Sequence, residues 1–393
     1  MSESVEPIQR LAGFELNVLR ASQVLGEEFE KVKVPRTGTP IYDINGMLLF
    51  YRLALRRGRT FLGYADIAAN EALGEPLLAV SMGVAWNEKA IREEARLAAR
   101  KGRRSLKFDT MRFVAYSFPK IAIQYLLDGQ EVLMLEWKTW EEVPLPSSKR
   151  EPMQPSNFER WSLIEELPVK IRRSRVRKFK KRQAIWDTRN FRRIDPTTIA
   201  ISTFDLSKLF AISDTREIHY APRAADHHIC YELRGQQTNV WCVAASVEML
   251  LNFYRYHYDQ PRLAHDLTLG TCASPRGLPY GEEYKVVDTI ENLSSNTLNA
   301  TSIANPTFAT FQTEIQNNRP LISFIPGHSR TVAGYTRSLL IFAGQTPFRG
   351  LLVYDPWPPT DCAHPEDGGV ITTWENFDTQ TYRYAFTAVL NHV

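Results

Sequence analysis

Apolar and polar residues repeat along most of the chain with periods that can be assigned to helix or strand. Leu11, Phe14, Leu16, Val18, Leu19 and Val24 form a loose apolar stripe that predicts a helix within residues 1–35. Beyond it the pattern shortens to that of strands. PIYDINGMLLFYRLAL predicts a hairpin, with Asn45-Gly46 supplying the positive-φ residues of a type I′ turn. TFLGYADIAA (Thr60 to Ala69) and PLLAVSM (Pro76 to Met82) predict further strands. Ala85 to Lys101 is rich in Ala, Glu and Arg and free of Gly and Pro, which predicts a helix stopped by Gly102. FDTMRFVAYSFPKIAIQYLL and EVLMLEWKTW predict two or three more strands, interrupted at Pro119. Together these make a small α+β domain over residues 36–145, or 1–145 with the leading helix.

Residues 146–200 break the pattern. Pro144, Pro146, Ser147, Ser148, Pro152, Pro155 and Ser156 mark a loop or linker. A basic block follows, Lys170 to Arg182, with nine Lys/Arg and no acid. It reads as a solvated, mobile linker, as a surface for an anionic partner (nucleic acid, membrane or acidic protein), or as a cleavage site. From about Ile201 to Val393 the chain reads as a second α+β domain. Cys242 and a helix from Val243 to about His257 lead. A polar middle turns near Gly270, Pro275-Arg276-Gly277 and Gly281. The strand-like segments PLISFI, SRTVAGYT, SLLIFAG, GLLVYDP, GGVITTW and YAFTAVL follow.

Composition adds boundaries to this picture. A chain of 393 residues exceeds one ordinary core, which favours two domains. Hydrophobic and charged fractions of 44% and 23% exclude a disordered chain. The N-terminus lacks the pattern of a secretory signal and no apolar run is long enough to cross a membrane, so the reading is cytoplasmic by default, or secreted by a signal-independent route. The four cysteines, all in the second half, lack the paired spacing of a zinc site, and no metal or cofactor is expected. A disulfide between two of Cys230, Cys272 and Cys362 is compatible with the sequence.

The fourth, Cys242, stands in QQTNVWCVAAS. A thiol reacts as a thiolate, and a helix N-terminus favours that anion through its unpaired N–H groups and macrodipole. Ala244, Val247, Leu250, Leu251 and Tyr254 recur near helical spacing and give the helix a face to bury, and Trp241 can shield the site from water. The imidazole such a thiol needs is best supplied by His328, in IPGHSRTVAGY at the start of an apolar strand. Asp355, where Pro356 ends the LLVYDP strand, can take the other ring nitrogen. Acyl transfer also needs an oxyanion donor. The Cys242 backbone N–H and an upstream carboxamide would serve, Gln236 being favoured and Gln237 the alternative.

QQTNVWCVAAS, PGHSRTVAGY and VYDPWP resemble the three motifs of papain-like cysteine peptidases. The resemblance covers about residues 225–393 and is strongest to the bacteriocin-leader-peptidase-like and staphopain/AvrRpt2-like groups. It implies a papain-like fold, a helical lobe and an antiparallel β lobe with the site between them. It also implies roles: Cys242 as nucleophile, His328 as general base and then acid, Asp355 as orienter, Gln236 or Gln237 lining the oxyanion hole. Val243 departs from the Gly or Trp that follows the cysteine in many relatives, and residues 258–300 match no part of the pattern. LGYADIAANEALGEPLLAVSMG is similar to the GF-x-I-V-S-x-D…P-x-L-A-Y-S pattern of streptopain-like propeptides. That likeness implies an N-terminal domain that inhibits the peptidase until it is removed; an unrelated partner-binding module is the alternative. The expected function is peptide hydrolysis through an acyl-thioester, with no cofactor and with a peptide or protein substrate. A deamidase, transglutaminase or isopeptidase on the same fold, and a non-enzymatic binding protein on a peptidase-like scaffold, stand as alternatives.

Overall fold

Strands from both halves of the chain hydrogen-bond into one fifteen-stranded sheet. The structure is a computed structural model, and it describes all residues except 1–2, 5, 103–105, 146–159, 187–199, 202–209, 221–230, 341–347, 365–368 and 392–393. In the N-terminal half, strand β1 (Glu3–Ser4) and helix α1 (Glu6–Ala21) precede β2 (Thr37–Asp43), β3 (Leu48–Arg57), β4 (Thr60–Ala68) and β5 (Leu77–Met82). Helix α2 (Glu88–Gly102) then leads to β6 (Thr110–Ser117), β7 (Lys120–Leu127) and β8 (Gln130–Glu136), and helix α3 (Val169–Trp186) follows. The C-terminal half contains β9 (Phe210–Glu217), α4 (Cys242–Phe253), α5 (Gln260–Asp266), the short pair β10 (Gly270–Thr271) and β11 (Ser274–Pro275), α6 (Tyr284–Leu293), β12 (Leu298–Ala304) and α7 (Phe308–Gln316). It ends with β13 (Leu321–Ile325), β14 (His328–Leu340), β15 (Phe348–Asp355), β16 (Ile371–Asn376) and β17 (Tyr384–Leu390).

The sheet runs β12-β17-β13-β14-β15-β16-β5-β4-β3-β2-β6-β7-β8, with β9 on β14 and β1 on β2. The seam between the halves is the antiparallel pair β5 and β16, with Ala79 opposite Glu375 and Met82 opposite Thr372. Ser81 Oγ and Thr373 Oγ1 lie 2.9 Å apart across it, and Asn376 Nδ2 donates to Leu77 O at 3.2 Å. Gly63 lets β4 come close to β5, since a Cβ there would sit 2.0 Å from the Ser81 carbonyl oxygen. The core follows the same seam: Leu16, Leu53, Ile67 and Val80 share one buried cluster with Leu351, Val353 and Trp374. The two sequence-defined α+β units therefore share a sheet and part of a core.

Four local expectations change. Asn45 does not take positive φ; only Gly46 does, at +88°, and its N–H closes the turn on Asp43 O at 2.9 Å, so the hairpin does not use a type I′ turn. The segment SLLIFAG does not begin a new strand, because β14 continues through Leu340; residues 341–347 lie outside the described set. The helix at Cys242 stops at Phe253, and Arg255 just after it has φ +69°. The basic block is helical rather than a loop. In α3, Arg182 pairs with the buried Glu15 through two 2.8 Å contacts, Lys178 reaches Glu75 and Asp378, and Arg175 donates to Thr379 O and Gln380 O. Inward cations thus fix the helix to both halves, while Lys170, Arg173, Arg177 and Lys181 are exposed. Charge runs alone do not reveal which cations find buried partners.

Cys272 and Cys362 form a disulfide, one of the three pairings left open by the sequence; Cys230 lies outside the described residues. No described helix is long and apolar enough to cross a membrane. No cluster of three or more metal-ligating side chains occurs among the described residues.

Candidate active site

Cys242 is the first residue of α4, a helix whose remaining residues, Val243 to Phe253, are all buried. A helix buried on every side, with its few polar side chains hydrogen-bonded, has the position of its first turn fixed by packing. Trp241 contributes by anchoring rather than by shielding. It is fully buried, and its indole Nε1 donates to Leu269 O at 3.0 Å. No side chain caps the helix N-terminus, so its first N–H groups face the thiol end of the site. A buried serine pair braces the helix against β14: Ser329 Oγ donates to Ser246 Oγ at 2.9 Å, and Ser246 Oγ donates to Cys242 O at 2.8 Å.

His328 opens β14 and Asp355 ends β15, its immediate antiparallel neighbour, so both residues meet at one end of the strand pair. The sequence pattern had placed Asp355 on the next strand but one. His328 Nε2 and Asp355 Oδ1 are 2.7 Å apart, and both residues are buried. The backbone N–H of Trp357 donates to the same carboxylate oxygen at 3.0 Å, which fixes the acceptor. With Nε2 engaged, Nδ1 is the nitrogen left for the thiol, which is half-buried beside it.

Cys242, His328 and Asp355 shift one another. Burial alone would push the Cys242 thiol up, but the adjoining His328 imidazole and the charges of His328 and Lys120 outweigh it and hold the thiol below its ordinary range. Burial would pull His328 down, yet the charge and hydrogen bond of Asp355, with the adjoining Cys242 thiol, raise it above the usual imidazole value. Asp355 is held low against burial by the charge and hydrogen bond of His328 and by the charge of Arg330. Arg330 itself is locked to Glu375 by two contacts of 2.6 and 2.9 Å. A thiol moved down and an imidazole moved up favour the thiolate–imidazolium pair.

The glutamines occupy a rigid loop. Gln236 is fully buried; its backbone N–H donates to Pro356 O at 3.0 Å, and its own carbonyl accepts from Thr360 N–H at 2.7 Å, tying it to the segment after Asp355. Its side-chain Nε2 donates to Thr238 O at 2.6 Å, which leaves a second amide hydrogen. Gln237 is held through its backbone N–H, which donates to Gln260 Oε1 at 2.8 Å. Gln260 also donates to Gly235 O and Glu248 Oε2, making it the main brace of this loop. Its role had no signal in the sequence, because it lies in the stretch from 258 to 300 that matched no pattern.

A small cavity of about 70 Å³ opens at the thiol. Cys242 and His328 lie in its wall, with Leu278, Tyr280, Phe324 and Tyr384 giving apolar surface. The N-terminal half also reaches this rim. Lys120 lines the cavity, Glu141 accepts from Asn239 Nδ2 at 2.9 Å, and Trp161 stacks with Arg383 at 5.0 Å.

This arrangement can carry acyl transfer through a thiolate. Residues 228–382 match the model of the Peptidase_C39 like family. The match supports a relationship to the papain-like cysteine peptidase superfamily and suggests a cysteine peptidase. The peptidase-like segment includes Gln236, Cys242, His328 and Asp355, whereas Lys120 and the whole N-terminal half lie outside it. No curated protein matches the chain.

In the peptidase-like segment, Asp355→Asn is expected to retain a share of any acyl-transfer activity, because an amide oxygen can still accept the His328 N–H. The charge that raises His328 is lost, so the alkaline limb of the kcat/KM profile moves to lower pH by about one unit or more. The linkage has the same sign. His328, raised when folded, stabilises the protein below 6.5 and loses that contribution as pH rises through its folded value, whereas Asp355, lowered when folded, contributes above 3.8. A pH–rate profile with an unmoved alkaline limb would remove Asp355 as the orienting charge.

Proposed function

We propose that this protein is a cysteine peptidase that hydrolyses peptide bonds through an acyl-thioester on Cys242. The observation that carries the reading is the commitment of His328 Nε2 to Asp355, which leaves Nδ1 for the thiol at the start of a buried helix. The Cys242 thiolate attacks the scissile carbonyl carbon, and the carbonyl electrons move onto oxygen. The Cys242 N–H and the remaining Gln236 amide hydrogen stabilise that oxyanion. His328 passes its proton to the departing amine, leaving an acyl-thioester. Water then attacks with His328 taking its proton, and the thiol leaves with the acid product released.

The N-terminal half fits this reading as a fixed wall of the site. Inhibition followed by its removal, as the propeptide likeness implies, would require β5 to leave β16 and the shared core to open. We therefore favour an integral role. The test is an epoxide probe at neutral pH, with mass spectrometry of the protein and of peptide substrates. Labelling confined to Cys242, together with cleaved peptides, is expected. A Cys242 that reacts no faster than a free thiol would overturn the peptidase reading. Deamidated or cross-linked peptides without cleavage would replace hydrolysis by an acyl-transfer variant.

A further inference from the structure

We propose that Lys120, supplied by the N-terminal half, is a positioning residue of the active site whose ammonium holds Cys242 as a thiolate. The inference rests on the cysteine-peptidase reading above. Lys120 is the first residue of β7, immediately after the Phe118-Pro119 turn that ends β6, so the tip of this hairpin delivers it. It is buried, and it borders both the cavity at Cys242 and His328 and the interior cavity behind Asp355.

Its position is built rather than incidental. Nζ lies 4.5 Å from the centroid of the Trp357 ring. Trp357 is clamped in turn, with its indole Nε1 donating to Glu136 at 3.0 Å and its backbone N–H donating to Asp355. Lys120, Glu136 and Trp357 thus connect the N-terminal half to the orienting carboxylate. Lys120 forms no ion pair among the described residues; burial pushes the carboxyl it faces, Glu136, up to about 8, so that group carries little charge near neutral pH, and a buried cation without a full counter-charge is costly. The reaction itself supplies the missing anion, first as the Cys242 thiolate. Lysine suits this role as a point charge that acts without a fixed fork geometry.

The charges around the pair fix the sign of the effect. The thiol faces His328 and Lys120; His328 faces Asp355, Cys242 and Lys120; Asp355 faces Arg330; and Lys120 also faces Glu136. Glu283 and Arg383 line the same cavity. A cation at Lys120 lowers the thiol and the imidazole together, whereas loss of Asp355 would lower the imidazole alone.

The test is the pH dependence of iodoacetamide alkylation at Cys242 and of kcat/KM in the full chain, for wild type, Lys120→Gln and Lys120→Arg. In Lys120→Gln the acid limb is expected to rise by about one pH unit, with alkylation below neutral pH falling about tenfold, and the alkaline limb is expected to move upward with it. Lys120→Arg is expected to restore both limbs. If Lys120→Gln does not melt cooperatively, Lys120→Met, which keeps an apolar stem over Trp357 and removes the charge, takes its place. Unmoved limbs in a folded neutral variant would overturn the proposal. An alkaline limb moving downward would also overturn it, because that result reports a disturbed His328–Asp355 pair. If wild-type Cys242 alkylates with the profile of an ordinary thiol, the peptidase reading fails instead; a depressed wild-type profile that the variants do not shift sinks only the role of Lys120.

Discussion

Cys242→Ala is expected to lower peptide hydrolysis by roughly four to six orders of magnitude, the scale at which removing a covalent nucleophile eliminates the pathway. The melting transition should change little, because Cys242 is half-buried and its backbone remains the start of a fully packed helix. His328→Ala should cost about as much, and the double variant little more, since thiolate and imidazole act as one unit. The measurement is kcat/KM on any peptide that the wild type cleaves, alongside thermal melting. A Cys242→Ala protein within about tenfold of wild type would remove Cys242 as nucleophile. Additive losses for the two residues would indicate that they act separately.

Much of this site could be read from the chain because its parts are local. A cysteine before an apolar helix, a histidine at a strand start and an aspartate before proline are patterns of neighbouring residues, and antiparallel pairing of β14 with β15 joins the last two. Braces formed by long-range contact left no such trace. Gln260 holds the glutamine loop from a helix read only as polar sequence, and the Ser246–Ser329 bond joins residues 83 positions apart. The division into two domains failed to anticipate the seam because PLLAVSM and GGVITTW look like ordinary strands, and nothing in either marks the other as its partner. For the same reason, the basic block read as solvated when its partners, Glu15, Glu75 and Asp378, are distant in sequence. Lys120 sits in a stretch that reads as strand core, far from the peptidase-like motifs, and becomes relevant to the site only through the hairpin that carries it.

A fragment beginning at Ile201 is expected to lose cooperative folding and all activity. Its removal of residues 1–200 strips β5 from β16 and opens the cluster in which Val80, Leu53 and Ile67 share the core with Leu351, Val353 and Trp374. It also removes the bonds of Lys31 and Val32 to Ile201, of Thr215 Oγ1 to Ser22 O, and of Trp357 Nε1 to Glu136. Uncovering a large apolar side chain costs about 1.5–3 kcal/mol, and a whole domain holds only about 5–15 kcal/mol in reserve, so a few such losses along the seam exhaust it. The exposed edge of β16 would add a second problem, since an unpaired strand beside uncovered apolar surface templates aggregation. Circular dichroism melting and peptide hydrolysis of the fragment against the full chain decide the matter. A soluble fragment that melts cooperatively and cleaves faster than the full chain would make the N-terminal half a removable inhibitor, as its propeptide-like segment suggests. An unfolded, inactive fragment is the outcome required if the same segment has become the strand that holds the peptidase-like half together.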